Sequence, residues 1–194
     1  LIPKPFLPVD GKPMIARVME NVTPQQEHRF IILALVEHMR WMLEVPKTTI
    51  IPVPGVTEGA ARTVLLAKHL YQDGPLLIVN SDQLIDWDVD DFLATPNARI
   101  ATFRSDSPAY SYVRTAPNGR VIEVAEKRVI SNEATVGAYY WERGSDFVRA
   151  AERMIAANDR TNGEFYVSPS FNYYGGLITT YPVARIHALG TPED

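Results

Sequence analysis

The residue of this 194-residue chain that most suggests chemistry is Asp82, in the segment LLIVNSDQ at residues 76–83. The segment begins as an apolar strand and turns polar, so the aspartate follows the strand's carboxyl end. Ligands of open α/β sheets bind at that edge, and a carboxylate there can hold Mg²⁺, which prefers oxygen ligands and bridges to phosphates. A turn or capping aspartate is the alternative, because SDQLIDWDVDDF (81–92) is also rich in turn-forming residues.

Two lysines near the start of the chain stand in front of prolines, as Lys4-Pro5 and Lys12-Pro13. A residue before proline is biased to extended backbone, so Lys4 can be held on a rigid segment as a phosphate ligand. Pro13 suits the first position of a helix, which gives Lys12 a structural or peripheral place. We therefore expect Lys4 to belong to a site and Lys12 to lie outside it.

Two further segments could contact a ligand. In TEGAART (57–63), Gly59 permits close backbone approach at the start of a helix, which has free N–H groups. In AEK (125–127), Glu126 can accept hydrogen bonds from hydroxyls and Lys127 can hold a phosphate. A regular strand would place these two side chains on opposite faces. A plain helix start and an exposed strand end are the alternatives.

The segment DWDVDD (86–91) contains overlapping Asp-x-Asp patterns of the kind that bind metal in many glycosyltransferases. It also precedes a short helical pattern, and Asp88 or Asp90 could cap that helix. We favour the capping interpretation. The four histidines show no metal-ligand spacing, so a zinc site is not expected.

Apolar runs that alternate with helical patterns indicate the fold class. The runs at 29–36, 48–53 and 74–80 predict buried strands, and the spacing at 12–22 and 58–71 predicts amphipathic helices. This alternation predicts an α/β fold, a Rossmann-like three-layer sandwich with a mixed, mostly parallel central sheet.

The second half of the chain has closely spaced strands. Strands are predicted at 98–105, 110–115, 120–127, 134–141 and 181–188, with a helix at 145–158 capped by Ser145 and a short helix near 165–174. The Asn-Gly pair in APNGR (116–120) predicts a hairpin. We expect one domain over residues 1–194, with a nucleotide-binding half near 1–95 and a second half, 96–194, laying strands over it.

Composition excludes several functions. The net charge of −4 and the lack of a basic run argue against nucleic acid as a partner. Cysteine is absent, which excludes disulfides and fits a reducing, cytoplasmic compartment. No apolar run approaches the length of a membrane span. The aromatic residues Tyr139, Tyr140 and Trp141 belong either to the core or to a homo-oligomer interface.

Taken together, five segments resemble the signature segments of the sugar-1-phosphate nucleotidyltransferases, also called nucleotide-sugar pyrophosphorylases. In chain order they are PKPFLPVDGKPMI, TEGAARTVLLA, LIVNSDQ, VIEVAEK with VGAYYW, and GTPED. The resemblance implies the nucleotide-diphospho-sugar transferase fold. It also implies a Mg²⁺-dependent reaction of a nucleoside triphosphate with a sugar 1-phosphate, giving a nucleotide-sugar and pyrophosphate.

The resemblance assigns roles to residues of both halves. Lys4 resembles the signature lysine that binds phosphate in the active site, and Asp82 resembles the magnesium-binding aspartate. Glu58 and Gly59 fall where the family's loop contacts the base. In the second half, three residues resemble the groups that hold the sugar hydroxyls, the sugar phosphate and the sugar ring, and these are Glu126, Lys127 and Gly137.

The sequence departs from the family pattern at three places. In the family, a Gly-rich loop with an arginine precedes the first Lys-Pro pair and binds the triphosphate. The 194-residue sequence does not contain this loop, so we expect no turnover from this polypeptide alone. Many members place an aspartate, a second metal ligand, where this chain has Ala188. The segment NYYGGLITTYPV (172–183) is short for the family.

Two other kinds of function stay open at this stage. A non-catalytic module that binds nucleotide-sugars would fit Ala188, and nucleotidyl transfer to a non-sugar phosphate such as phosphocholine is a close variant of the reaction. A glycosyltransferase that uses DWDVDD is a third possibility. Neither the sugar nor the base can be identified from these residues.

Overall fold

The structure, a computed structural model, describes residues 2–42 and 47–189. The strands are β1 (Pro8–Val9), β2 (Lys12–Pro13), β3 (Phe30–Leu35), β4 (Thr48–Val53), β5 (Leu76–Val79), β6 (Gln83–Ile85), β7 (Ala98–Arg104), β8 (Ser111–Thr115), β9 (Val121–Glu126), β10 (Glu133–Trp141), β11 (Ile178–Pro182) and β12 (Ile186–Ala188). The α-helices are α1 (Met14–Asn21), α2 (Ala60–Leu65), α3 (Val89–Leu93) and α4 (Gly144–Ala156). Short 3-10 helices cover Lys4–Phe6, Val36–Trp41, Lys68–Leu70 and Ser168–Tyr173.

The centre of the fold is a mixed sheet in the order β11-β7-β10-β8-β9, with β5 also paired to β10. The long strand β10 pairs with β7 along one edge and with β5 and β8 along the other. The mixed sheet of an α/β fold is thus confirmed. The expectation of a mostly parallel sheet is wrong here, because in this described sheet β11 and β7 run parallel and the other pairs are antiparallel. The tight turn at 116–120, for example, can join only antiparallel strands.

Alternate residues of β10 show that both faces of the sheet are covered. Tyr139 and Trp141 belong to one apolar cluster, which α4 covers, whereas Ala138 and Tyr140 belong to another, which includes Phe92 of α3. Because neighbouring side chains of a strand point to opposite faces, the two clusters lie on opposite sides of the sheet. The three-layer arrangement is therefore confirmed. The aromatic residues of β10 are at most 6% exposed and belong to the core.

The strands β3 and β4 form a separate parallel pair. Every residue of β3 is apolar and only partly buried, and Ile31 and Leu33 pack against the main core cluster. A mainly apolar cleft of about 1250 Å³ is lined by β3 and β5. Among the described residues, β3 forms its backbone hydrogen bonds with β4, and β5 forms its own with β10. The two strands thus face each other across the cleft without pairing.

Several predicted boundaries change. The helix predicted at 58–71 ends at Leu65 and continues as a 3-10 turn. Helix α4 begins one residue before Ser145, and Arg143 takes the N-cap position. The predicted last strand divides into β11, which pairs with β7, and β12, which pairs with β6. Strand β6 lies within SDQLIDWDVDDF (81–92), a segment rich in turn-forming residues for which no strand is predicted from the sequence.

Within the described residues, no helix combines the length and apolar character that crossing a membrane requires. The expected boundary near residue 95 falls in the turn between α3 and β7. The GTPED segment at 190–194 lies outside the described residues.

Candidate active site

Lys4 and Asp82, 78 residues apart in sequence, meet in the structure: Lys4 Nζ lies 3.1 Å from Asp82 Oδ2. Lys4 begins a 3-10 helix instead of lying on the extended backbone expected before Pro5, and Pro3 and Pro5 on either side restrict its backbone. Asp82 lies in the short connection between β5 and β6. The two side chains are 43% and 44% exposed. An exposed ion pair of this kind contributes about 1 kcal/mol or less, so a phosphate or a cation can readily replace either partner.

The second Lys-Pro pair lies elsewhere, as expected. Lys12 Nζ donates to Glu20 Oε1 of α1 at 2.5 Å. The same contact is the main reason why the pKa of the Glu20 carboxyl is lowered. Pro13 directly precedes α1 and occupies its N-cap position. Lys12 is therefore paired with the last turn of α1, whereas Lys4 faces the carboxyl end of β5.

The position at which many family members carry a second acidic ligand lies beside Asp82. Ala188 pairs with Gln83 in the β12–β6 ladder, and the next amide, Leu189 N–H, donates to the Asp82 carbonyl at 2.8 Å. The methyl group of Ala188 cannot ligate a metal. The neighbouring His187 pairs with Asp86 at 3.2 Å. In the described ranges, no group of three or more acidic or histidine side chains could hold a metal ion.

Gly137 forms a bulge in β10 next to the end of β5. Its φ is +74°, and the register between β10 and β7 shifts between Thr135 and Tyr139. The Gly137 carbonyl accepts from Asn80 N–H at 3.0 Å. A Cβ added at Gly137 would lie 2.3 Å from Asn80 Nδ2 and 3.1 Å from Gln83 Nε2. The sequence position thus requires glycine for its conformation and for the close approach of two amide side chains.

Glu126 is held by hydroxyl groups. Its Oε2 accepts from Ser168 Oγ at 2.9 Å and from Ser111 Oγ. The Glu126 side chain is only 6% exposed, and a buried carboxylate requires such hydrogen bonds. Tyr139 Oη and Thr135 Oγ1, 3.0 Å apart, form the next layer. Burial raises the pKa of the Tyr139 phenol to about 12, and the Glu126 charge adds to this effect.

Lys127 does not point away from Glu126. The strand β9 ends at Glu126, and Lys127 adopts a left-handed conformation with φ of +50°. Its Nζ therefore returns to within 3.9 Å of Glu126 Oε1. It also donates to the Ala109 carbonyl at 3.3 Å and lies 5.7 Å from the centre of the Tyr166 ring. Opposite faces were expected only for a regular strand, and that condition is not met because β9 ends at Glu126.

Glu58 and Gly59 connect their loop to the segment that precedes the last 3-10 helix. The carboxylate of Glu58 accepts from Arg160 at 2.7 Å and lies 3.2 Å from Arg62. The Arg160 hydrogen bond, and then its charge, lower the pKa of Glu58. A Cβ on Gly59 would lie 2.6 Å from the Phe165 backbone, and its φ is +118°. The geometry gives both residues a structural role, and their contact with a base stays a prediction.

Strand β10 joins the two candidate regions. Its residues 138–141 pair with β5, which leads to Asp82, and Ala134 pairs with Tyr112 of β8, which carries Ser111. Only the bulge at Gly137 separates the two pairings. The connection that carries Asp82 and the β8–β9 pair that carries Ser111 and Glu126 therefore both adjoin β10, on either side of Gly137. An anion and a polyhydroxylated group of the same ligand could occupy these regions together.

The chain belongs to the nucleotidyl transferase family, whose model matches residues 1–165. This finding confirms the resemblance to the sugar-1-phosphate nucleotidyltransferases. The curated relatives include the bifunctional protein GlmU of Methanococcus maripaludis strain C5, 26% identical over 144 residues, and that of Methanocaldococcus jannaschii, 25% identical over 145 residues. These alignments cover 71% and 73% of this chain but 34% and 35% of the relatives. The chain thus spans about a third of their length.

Solved structures with the same fold include two pyrophosphorylases. A nucleoside-diphosphate-sugar pyrophosphorylase from Vibrio cholerae RC9 superposes with a TM-score of 0.80 at 21% identity, over 98% of this chain and 88% of its own. A UDP-glucose pyrophosphorylase complexed with UDP-glucose gives a TM-score of 0.78 at 15% identity, over 99% and 87%. At these identities the structures confirm the fold.

Sequence reasoning missed the two hydroxyls on Glu126 and the amide side chains beside Gly137. Ser111 lies within an otherwise ordinary strand pattern, and Ser168 lies 42 residues beyond Glu126. No spacing rule connects them, since the contact depends on how the 3-10 helix packs against the sheet. Asn80 and Gln83 stand on either side of Ser81-Asp82, and their polar type directly after a buried strand was the available signal.

Proposed function

We propose that the protein transfers a nucleotidyl group from a nucleoside triphosphate to a sugar 1-phosphate, and that it requires Mg²⁺. The Lys4–Asp82 pair at the carboxyl end of β5 carries this proposal. It supplies one cationic and one anionic group where ligands of α/β sheets bind. Family membership supports the reaction type, and the single strand that joins Asp82 to the Glu126 region supports a substrate with both phosphate and hydroxyl groups.

In the proposed reaction, a phosphate oxygen of the sugar 1-phosphate attacks the α-phosphorus of the triphosphate. A new O–P bond forms, the bond from the α-phosphorus to the bridging oxygen breaks, and pyrophosphate leaves with its electron pair. The attacking phosphate is already ionised, so no general base is needed. Catalysis then depends on in-line positioning and on cations that stabilise the developing charge.

Each candidate residue has a role in this scheme. Lys4 binds phosphate oxygens of the triphosphate after leaving Asp82, and Lys127 binds the phosphate of the sugar. Glu126 accepts hydrogen bonds from sugar hydroxyls, and the Gly137 backbone approaches the sugar.

Asp82 would be the protein ligand of Mg²⁺. A single exposed carboxylate fits this ion, which usually takes one or two carboxylates together with waters and substrate phosphates. Magnesium, when bound, would neutralise the phosphate charges.

The base-contacting role of Glu58 and Gly59 also stays a proposal, as do a homo-oligomer and the cytoplasmic location expected from the cysteine-free composition.

The test is pyrophosphate release by the full-length protein with a panel of nucleoside triphosphates and sugar 1-phosphates, with and without Mg²⁺. We expect turnover with at least one pair, and a loss of about 10²–10³-fold on Asp82→Asn. Asp86→Asn is the matched control, because Asp86 lies four residues away and pairs with His187. Turnover without Mg²⁺, or equal effects of both substitutions, would contradict the roles given to Asp82.

A second candidate is a domain that binds nucleotide-sugars without turning them over. The specific observation in its favour is Ala188, which places a methyl group beside Asp82 where many members carry an acidic ligand. Calorimetric binding of UDP-glucose that does not depend on Mg²⁺, together with no pyrophosphate release from any pair, would favour this candidate. Restoring an acid with Ala188→Asp should then create Mg²⁺-dependent binding.

A further inference from the structure

The two hydroxyls on Glu126 come from distant parts of the chain and contact the same oxygen. Ser111 lies on β8 and is 6% exposed, and Ser168 begins the last 3-10 helix and is 1% exposed. Both donate to Oε2 of Glu126. The two Oγ atoms are themselves 2.9 Å apart. A carboxylate oxygen is thus fixed from two sides by side chains that solvent hardly reaches.

The other oxygen of Glu126 has a different environment. Among the described residues, the nearest charged group to Oε1 is Lys127 Nζ at 3.9 Å, which is beyond hydrogen-bond length. Only 6% of the Glu126 side chain is exposed, whereas the neighbouring Lys127 side chain is 36% exposed, so solvent approaches this carboxylate from the side of Lys127. The two oxygens therefore differ: Oε2 accepts hydrogen bonds from two protein hydroxyls, whereas Oε1 accepts none from the described residues and keeps its capacity for a ligand.

We infer that Ser111 and Ser168 are positioning residues, which hold Oε2 of Glu126 so that Oε1 is presented as a fixed acceptor for one sugar hydroxyl. This inference rests on the proposed function and deepens it. Because two hydroxyls donate to Oε2, the carboxylate cannot rotate to follow a misplaced sugar hydroxyl. The site then discriminates between sugars by where a hydroxyl lies, because a sugar that cannot reach Oε1 leaves a desolvated acceptor without a donor.

The test is binding of nucleoside diphosphate sugars to the full-length protein by calorimetry. The panel contains UDP-, ADP-, GDP-, CDP- and dTDP-linked glucose, mannose and N-acetylglucosamine. For the tightest member we expect Ser168→Ala and Ser111→Ala each to raise Kd about tenfold, the value of one hydrogen bond to a charged group. The Kd of the corresponding free nucleoside diphosphate should change less than twofold.

Ser170→Ala is the matched control. Ser170 lies in the same 3-10 helix, is fully buried, and donates to the Val167 carbonyl at 2.6 Å instead of to Glu126. Ser170→Ala should lower Tm about as much as Ser168→Ala does. It should leave unchanged the ratio between the Kd of the nucleoside diphosphate sugar and the Kd of the free nucleoside diphosphate. Equal Kd values for the Ser168→Ala and Ser170→Ala proteins would overturn the inference, as would failure of the wild-type protein to bind any member of the panel.

A double substitution separates positioning from direct contact. If Ser168 acts through Glu126, then Ser168→Ala should weaken binding about tenfold in the wild-type background and less than twofold in a Glu126→Gln background. Equal losses in both backgrounds would contradict the inference. Sugar-selective binding with these effects but without pyrophosphate release would overturn the proposed catalytic function and still support the positioning role.

Discussion

The most informative single substitution in the candidate site is Gly137→Ala, because two separate costs can be worked out for it. A left-handed backbone costs a non-glycine residue roughly 1–2 kcal/mol, and Gly137 has φ of +74°. The new methyl group would also lie 2.3 Å from Asn80 Nδ2 and 2.7 Å from its Cγ. Overpacking of this kind costs about 1–3 kcal/mol. The sum is a loss of roughly 2–5 kcal/mol in the free energy of unfolding.

The backbone of Asn80 is fixed by the bond from its N–H to the Gly137 carbonyl, so its exposed side chain must turn to another rotamer to admit the methyl group. Gly119→Ala is the control, because Gly119 has φ of +80° and nothing lies within 4 Å of its added Cβ. It should cost only the roughly 1–2 kcal/mol of the backbone term. Urea unfolding with an unchanged m-value measures both losses.

The same reasoning predicts that Asn80→Ala removes the clash. In that background, the loss caused by Gly137→Ala should shrink towards that of Gly119→Ala, with the 3.1 Å contact to Gln83 Nε2 as the remaining difference. Equal losses for Gly137→Ala and Gly119→Ala in the wild-type background would refute the reasoning, because they would show that the contact with Asn80 contributes nothing.

Three further predictions concern single side chains. Lys4→Ala should lower kcat/KM for pyrophosphate release about 10²-fold, whereas Lys12→Ala should change it less than threefold; equal losses would contradict the separation of the two lysines. Because Arg160 lowers the pKa of Glu58 below its ordinary 4.5, their pair stabilises the fold above that pH and is lost as pH falls through the lowered pKa. Arg160→Ala should therefore lower Tm at pH 7, and the difference from wild type should narrow below pH 4.5; a difference that does not vary with pH would argue against the pair. Asp88→Ala should cost about 1 kcal/mol of stability as a lost helix cap and leave pyrophosphate release unchanged, whereas a loss of turnover would return DWDVDD to consideration as a metal motif.

The capping prediction for Asp88 shows what local sequence can establish. The carboxylate of Asp88 accepts from the Asp91 amide at the start of α3, and Asp90 accepts from Gln25 N–H. The polar residue before a short apolar pattern was sufficient for this prediction. Strand β4 was likewise predicted to the residue, because its six-residue run is bounded by prolines.

Long-range contacts could not be predicted in this way. Strand β6 is three residues long, and it exists because β12, about 100 residues later, pairs with it. The position of Lys127 depends on a left-handed residue at a strand end, for which lysine gives no signal. The hydroxyls on Glu126 required the packing of a 3-10 helix against β8 and β9. Local pattern thus predicted most of the elements and the place of Asp82 at the carboxyl end of β5, while tertiary packing decided the surroundings of each carboxylate.

The cleft between β3 and β5 has a consequence for the behaviour of the protein in solution. Both strands line it with apolar side chains. Strand β3 alone offers six residues, about 20 Å of extended backbone. Exposed apolar edges of this kind pair with any extended chain that meets them. We therefore expect self-association during folding and storage to begin at this part of the surface, and a charged residue at a partly exposed position of β3 to reduce it.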